Sequence, residues 1–74
     1  MEELDATGLL CPLPVLKTRK HLLALAPGAL LRVRTDDPVA VVDMPHFCAE
    51  AGHGLESQDE DGTVMIWVIR RGAF

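Results

Sequence analysis

The chain has 74 residues, 49% of them apolar, and its seven lysines and arginines against eleven acids leave a net charge of −4. That length supports one small domain (residues 1–74) with a two-layer core and no deep substrate cavity. One tryptophan and two phenylalanines cannot form a stacking platform for bases, so with the acidic balance stable nucleic-acid binding is not expected.

Met1–Asp5 is acidic and has no apolar core region, which argues against a cleavable signal peptide. A short first strand is expected around Leu4, ended by the turn-forming Asp5-Ala6-Thr7-Gly8. Cys11-Pro12-Leu13-Pro14 follows. Two prolines so close together are tolerated only in the first turn of a helix, where the missing N–H groups would have no intrahelical partner. The spacing puts Cys11 at or beside the N-cap, Pro12 at N1 and Pro14 at N3. The N–H groups of Leu13, Val15 and Leu16 would then point at the sulfur, and the positive helix end would favour a thiolate.

The helix is expected from Pro12 to about Leu25. Val15, Leu16, Leu22 and Leu23 form an inward stripe, with Lys17 and Lys20 outside it. Pro27-Gly28 stops the helix and interrupts the longest apolar stretch, Leu22 to Leu31, which is too short to span a bilayer. Ala29 to Thr35 alternates as a strand, with Leu30, Arg32 and Arg34 on one face. Asp36-Asp37-Pro38 is a helix-start signal. Because Pro45 should break a continuous helix, a short turn is expected at Val39–Val42 and a second helix from about Pro45 to Ala51, closed by Gly52. Leu55–Ser57 is a weak strand and Asp59-Glu60-Asp61-Gly62 a hairpin turn. Thr63–Ile69, apolar on both faces, is the strongest strand and belongs centrally or under a helix. The order βαβαββ implies an α+β fold, with two helices on one face of a small mixed four-stranded sheet.

The two cysteines, Cys11 and Cys48, make neither a disulfide framework nor a CxxC pair, which fits a reduced, cytoplasmic setting. Cys11 is the candidate nucleophile, with Pro12 and Pro14 shaping its turn. Cys48, beside Phe47 and Ala49, reads as packing, although pairing with Cys11 under oxidation stays open. His46, Cys48 and His53 match no zinc pattern, so no metal is expected. His21 reads as solvated, and Trp67 as packed against a helix. Between Ala6 and Thr35 there is no acid, whereas Lys17, Arg19, Lys20, Arg32 and Arg34 all fall there. These five are candidates for a partner-docking face, the alternative being ordinary solvated surfaces.

The run Leu4-Asp5-Ala6-Thr7-Gly8-Leu9-Leu10-Cys11-Pro12-Leu13-Pro14 resembles the signature of the TusA (SirA-like) family of sulfur carriers. Asp36-Asp37-Pro38, Asp43-Met44-Pro45-His46-Phe47-Cys48 and Ile69-Arg70-Arg71-Gly72 extend the similarity over almost the whole chain. The resemblance implies a two-layer α/β sandwich in which Cys11 carries a transient persulfide, with no other cofactor. It implies a cysteine desulfurase or other donor protein and a downstream acceptor in a relay, with 2-thiouridine in transfer RNA, molybdenum-cofactor enzymes or sulfur oxidation as the destination. Two positions depart from the pattern. Leu10 stands where some relatives have a basic residue, and Leu13 where others are acidic. A regulatory or interaction module without sulfur transfer is the competing class, and direct RNA binding a third.

Overall fold

The computed structural model describes residues 1–74. Six elements follow in order: β1 (Glu2–Asp5), α1 (Leu13–Leu23), β2 (Leu30–Thr35), α2 (Ala40–Ala51), β3 (Gly54–Asp61) and β4 (Val64–Arg70). The strands form one sheet in the order β1-β2-β4-β3. β1 runs parallel to β2, so α1 serves as the crossover that a parallel pair requires. β4 is antiparallel to both β2 and β3. The expected α+β order is therefore present, with β4 in the interior of the sheet.

Strand alternation decides what faces the helices. Leu31, Val33 and Thr35 of β2 and Met65, Trp67 and Ile69 of β4 are buried, while Arg32 and Arg34 are exposed. The buried face joins Leu22 of α1 and Met44 and Cys48 of α2 in one core, with Ala6 at its edge. Trp67 sits wholly inside it, and its indole N–H donates to the Thr35 hydroxyl at 2.9 Å, so its polar atom is satisfied. The opposite face of the sheet has no helix over it, and Val64, Ile66 and Val68 are only half-buried there. Neither helix is long and apolar enough to cross a membrane.

Three local expectations are corrected. α2 is continuous from Ala40 and contains Pro45, where the sequence pointed to a turn followed by a shorter helix. Proline at this depth leaves the carbonyl of Val41 without its partner, but Val41 is on the exposed side, where water can replace the lost donor. The inward face of α1 is Pro14, Thr18 and Leu22, with Val15 packed against the core as expected, whereas Leu16 and Leu23 are half-exposed. Thr18 can face the core because its hydroxyl donates to the Pro14 carbonyl at 2.7 Å. Finally, β3 is longer than the weak signal at Leu55–Ser57: it continues through the acids to Asp61, irregular between Leu55 and Ser57. The hairpin turns at Gly62-Thr63, where Gly62 has φ 63°. Gly52 closes α2 as expected, in the left-handed conformation.

Candidate functional site

Cys11 lies in the loop between β1 and α1, solvent-exposed, one position before the cap of the helix. The cap residue is Pro12 and Pro14 falls in the first turn, so each proline sits one place earlier in the helix than the spacing predicted. Pro14 is fully buried and anchors the turn to the core; Pro12 is exposed beside the thiol.

The backbone N–H groups that the sequence aimed at the sulfur are in part engaged elsewhere. That of Leu13 donates to the Leu10 carbonyl at 2.9 Å and that of Leu16 to the Pro12 carbonyl at 3.1 Å. Carboxylates occupy the site instead. The Cys11 thiol donates to Asp43 Oδ2 at 3.1 Å, and the Cys11 backbone N–H donates to Asp37 Oδ2 at 2.7 Å. The other oxygen of Asp37 accepts the Val39 N–H at 3.1 Å, so one carboxylate ties the cysteine turn to the start of α2. Asp36 accepts the Gly8 N–H at 2.9 Å and pins the preceding turn. The thiol's pKa is accordingly raised above its ordinary value, first by the hydrogen bond to Asp43, then by burial and by the charges of Asp43 and Asp37. This reverses the expectation of a thiolate favoured by the helix end: carboxylates at bonding distance outweigh a dipole two of whose three N–H groups bond to backbone carbonyls instead.

Cys11, Pro12, Pro14, Val15, Asp37, Ala40 and Asp43 line the cleft, which has no room inside for even a water-sized body. Next in the chain to these lining residues stand exposed apolar side chains: Leu10, Leu13 and Leu16 beside Cys11, Pro12, Pro14 and Val15, and Val39 and Val42 beside Ala40 and Asp43. Such a surface suits contact with another protein more than capture of a small molecule.

Sequence reasoning missed Asp37 and Asp43 as site residues. Asp36-Asp37-Pro38 reads correctly as the approach to a helix, since the Ala40 N–H bonds to the Asp37 carbonyl at 3.0 Å. Which backbone a side-chain carboxylate meets across the fold is invisible in one segment. Cys48 is buried and its thiol is pushed up to about 11 by burial, consistent with packing. His46 lies near Glu50, and His53 Nδ1 accepts the Gly72 N–H at 2.9 Å between the rings of Phe47 and Phe74. His21 is half-buried, 3.8 Å from Glu2.

The five basic candidates do not form one face. Lys17, Arg19 and Lys20 belong to the helical layer, Lys17 and Lys20 lining a hollow with Leu4, His21 and Ala24. Arg32 and Arg34 project from the opposite face of the sheet, where Arg32 pairs with Glu3 at 3.2 Å. An uninterrupted basic run in the sequence is divided by the sheet, because α1 and the outward side of β2 lie on opposite sides of it.

Fold and site together define a small α/β sandwich that presents one solvent-facing thiol on a proline-bounded turn, at a cleft with no interior. Residues 2–71 match the family model described as sulfurtransferase TusA. The sulfur carrier protein TusA of Pseudomonas paraeruginosa is 46% identical over 69 residues, covering 92% of this chain and 87% of its own. That of Pseudomonas entomophila is 45% identical, covering 92% and 86%. The crystal structure of a SirA-like protein from Desulfitobacterium hafniense superposes with a TM-score of 0.83 at 27% identity, covering 97% of this chain and 99% of the other. The chain belongs to the TusA family of sulfur carrier proteins.

Proposed function

We propose that this protein accepts sulfane sulfur on Cys11 from a donor protein, a cysteine desulfurase being the expected kind, and passes it to an acceptor protein in the cytoplasm. The observation that carries this reading is the exposed Cys11 thiol at a cleft with no interior, with exposed apolar side chains at the neighbouring chain positions. A sulfur so placed reacts with what is brought to it. Cys11 attacks the outer sulfur of the donor persulfide and becomes Cys11–S–S–H, releasing the donor thiol, and an acceptor thiol later takes the outer sulfur in the same way. Pro12 and Pro14 hold the turn, and the carrier needs no bound cofactor beyond this transient persulfide. Thiolation of transfer RNA is the destination we favour, with molybdenum-cofactor enzymes or sulfur oxidation as the other outlets.

The experiment is intact-mass measurement after incubation with a cysteine desulfurase and free cysteine. One added sulfur atom is expected in the wild-type protein and in Cys48→Ala, and none in Cys11→Ala. Label that persists without Cys11, or that no desulfurase can install, overturns the reading. A regulatory module independent of sulfur would instead keep its function in Cys11→Ala.

A further inference from the structure

Resting on the carrier reading, we infer that Asp43 is the proton acceptor for Cys11 during sulfur transfer. The carboxylate Oδ2 stands 3.1 Å from Cys11 Sγ and holds the thiol hydrogen. Asp37 makes no hydrogen bond to the thiol: its oxygens accept the backbone N–H groups of Cys11 and Val39, and Asp43 alone meets Cys11 Sγ. Asp37 and Asp43 are the only charged residues lining the cleft, and no cation offsets them. A thiolate at rest would face two carboxylates at close range, so the ground state is the thiol. The nucleophile must then be generated in the act of attack, and the atom placed to receive the proton is the one already bonded to it.

In the balanced step, a lone pair of Cys11 Sγ forms a bond to the outer sulfur of R–S–S–H as the thiol proton passes to Asp43. The donor S–S bond breaks, its electron pair leaves on R–S⁻, and Asp43 returns the proton to that leaving sulfur. The products are Cys11–S–S–H and R–SH, with no net oxidation. Delivery to an acceptor thiol is the same exchange with Cys11 as the leaving sulfur and Asp43 as the proton source.

The test separates this role from simple electrostatic restraint. In Asp43→Asn, alkylation of Cys11 by iodoacetamide at neutral pH should accelerate, since a charge opposing the thiolate is gone. Loading from glutathione persulfide, a small donor that needs no docking, should slow by about tenfold or more, because the leaving sulfur has lost the proton that Asp43 returns to it, which departing iodide does not need. Asp43→Glu should recover part of the loading rate, and circular dichroism of each variant reports that the fold is kept. Opposite movements of the two rates support the proposal. If both rates rise, Asp43 only restrains the thiol; if alkylation does not rise, the hydrogen bond does not govern the sulfur; either result overturns it. Failure of the wild-type protein to load at Cys11 would instead bring down the carrier reading and this role with it.

Discussion

The two cysteines have raised pKa values for unrelated reasons. At Cys11 the leading cause is a hydrogen bond to a carboxylate in a solvent-facing cleft, whereas at Cys48 it is burial alone. Only the second was foreseeable from the chain, since a cysteine flanked by Phe47 and Ala49 in a helix is packing by habit. The partner of Cys11 lies 32 residues away, on another element, and no local pattern connects them. Cys48 carries a consequence for stability. Its thiol titrates near 9.0 when unfolded and at about 11 in the fold, so the unfolded chain releases its proton first as pH rises. The stabilisation from keeping Cys48 protonated is therefore complete below pH 9.0 and is lost as pH climbs through about 11. Urea denaturation between pH 8 and 11 is expected to give falling stability, with a shallower fall in Cys48→Ala than in the wild-type protein.

At the level of elements, the strands and their alternation were legible and the helix boundaries less so. β2 and β4 were readable because period-two alternation does not depend on what packs above them. α2 was not, because Pro45 was given its usual meaning of a break. The helix tolerates it because Val41, whose carbonyl loses its partner, lies on the exposed side, and through the core contacts of Met44 and Cys48 on either side. Pro45→Ala is expected to restore the missing backbone bond and stabilise the protein, by at most about 3 kcal/mol. A higher urea midpoint with an unchanged m-value is the expected readout, and a lower midpoint would show that the proline ring's own packing outweighs the hydrogen bond. The inward face of α1 was misread in part, for a related reason, although Val15 and Leu22 pack inward as expected. Leu16 and Leu23 fit the apolar period, yet the buried positions went to Pro14 and Thr18, a rigid ring and a hydroxyl that bonds to its own helix.

For the molecule as a whole, the order βαβαββ was enough to predict one helical layer on a mixed sheet, and the CPxP turn was enough to locate the thiol. Charge in space was not legible, because a stretch without acids becomes two separate basic surfaces once the chain is folded. Arg32 already has a partner in Glu3, and the lysines of α1 share the layer from which Cys11 emerges. Reversing charge at Lys17 and Lys20 together is therefore expected to slow loading from a cysteine desulfurase severalfold and to increase its salt dependence. The same reversal at Arg32 and Arg34 should leave loading close to wild type. Stopped mixing followed by mass measurement at two ionic strengths distinguishes the pairs.

The carboxylate of Asp37 grips the Cys11 amide with one oxygen and the Val39 amide with the other. It works as a rivet through two segments that the chain itself joins only by way of α1 and β2. Neither segment can swing outward alone without drawing one of those bonds open. Val39 and Val42 stand exposed beside it, so a protein that bears on the rim of α2 presses on the same joint that holds the cysteine. Grip and aim are mechanically one property here: the start of α2 is fastened to the backbone that points the sulfur.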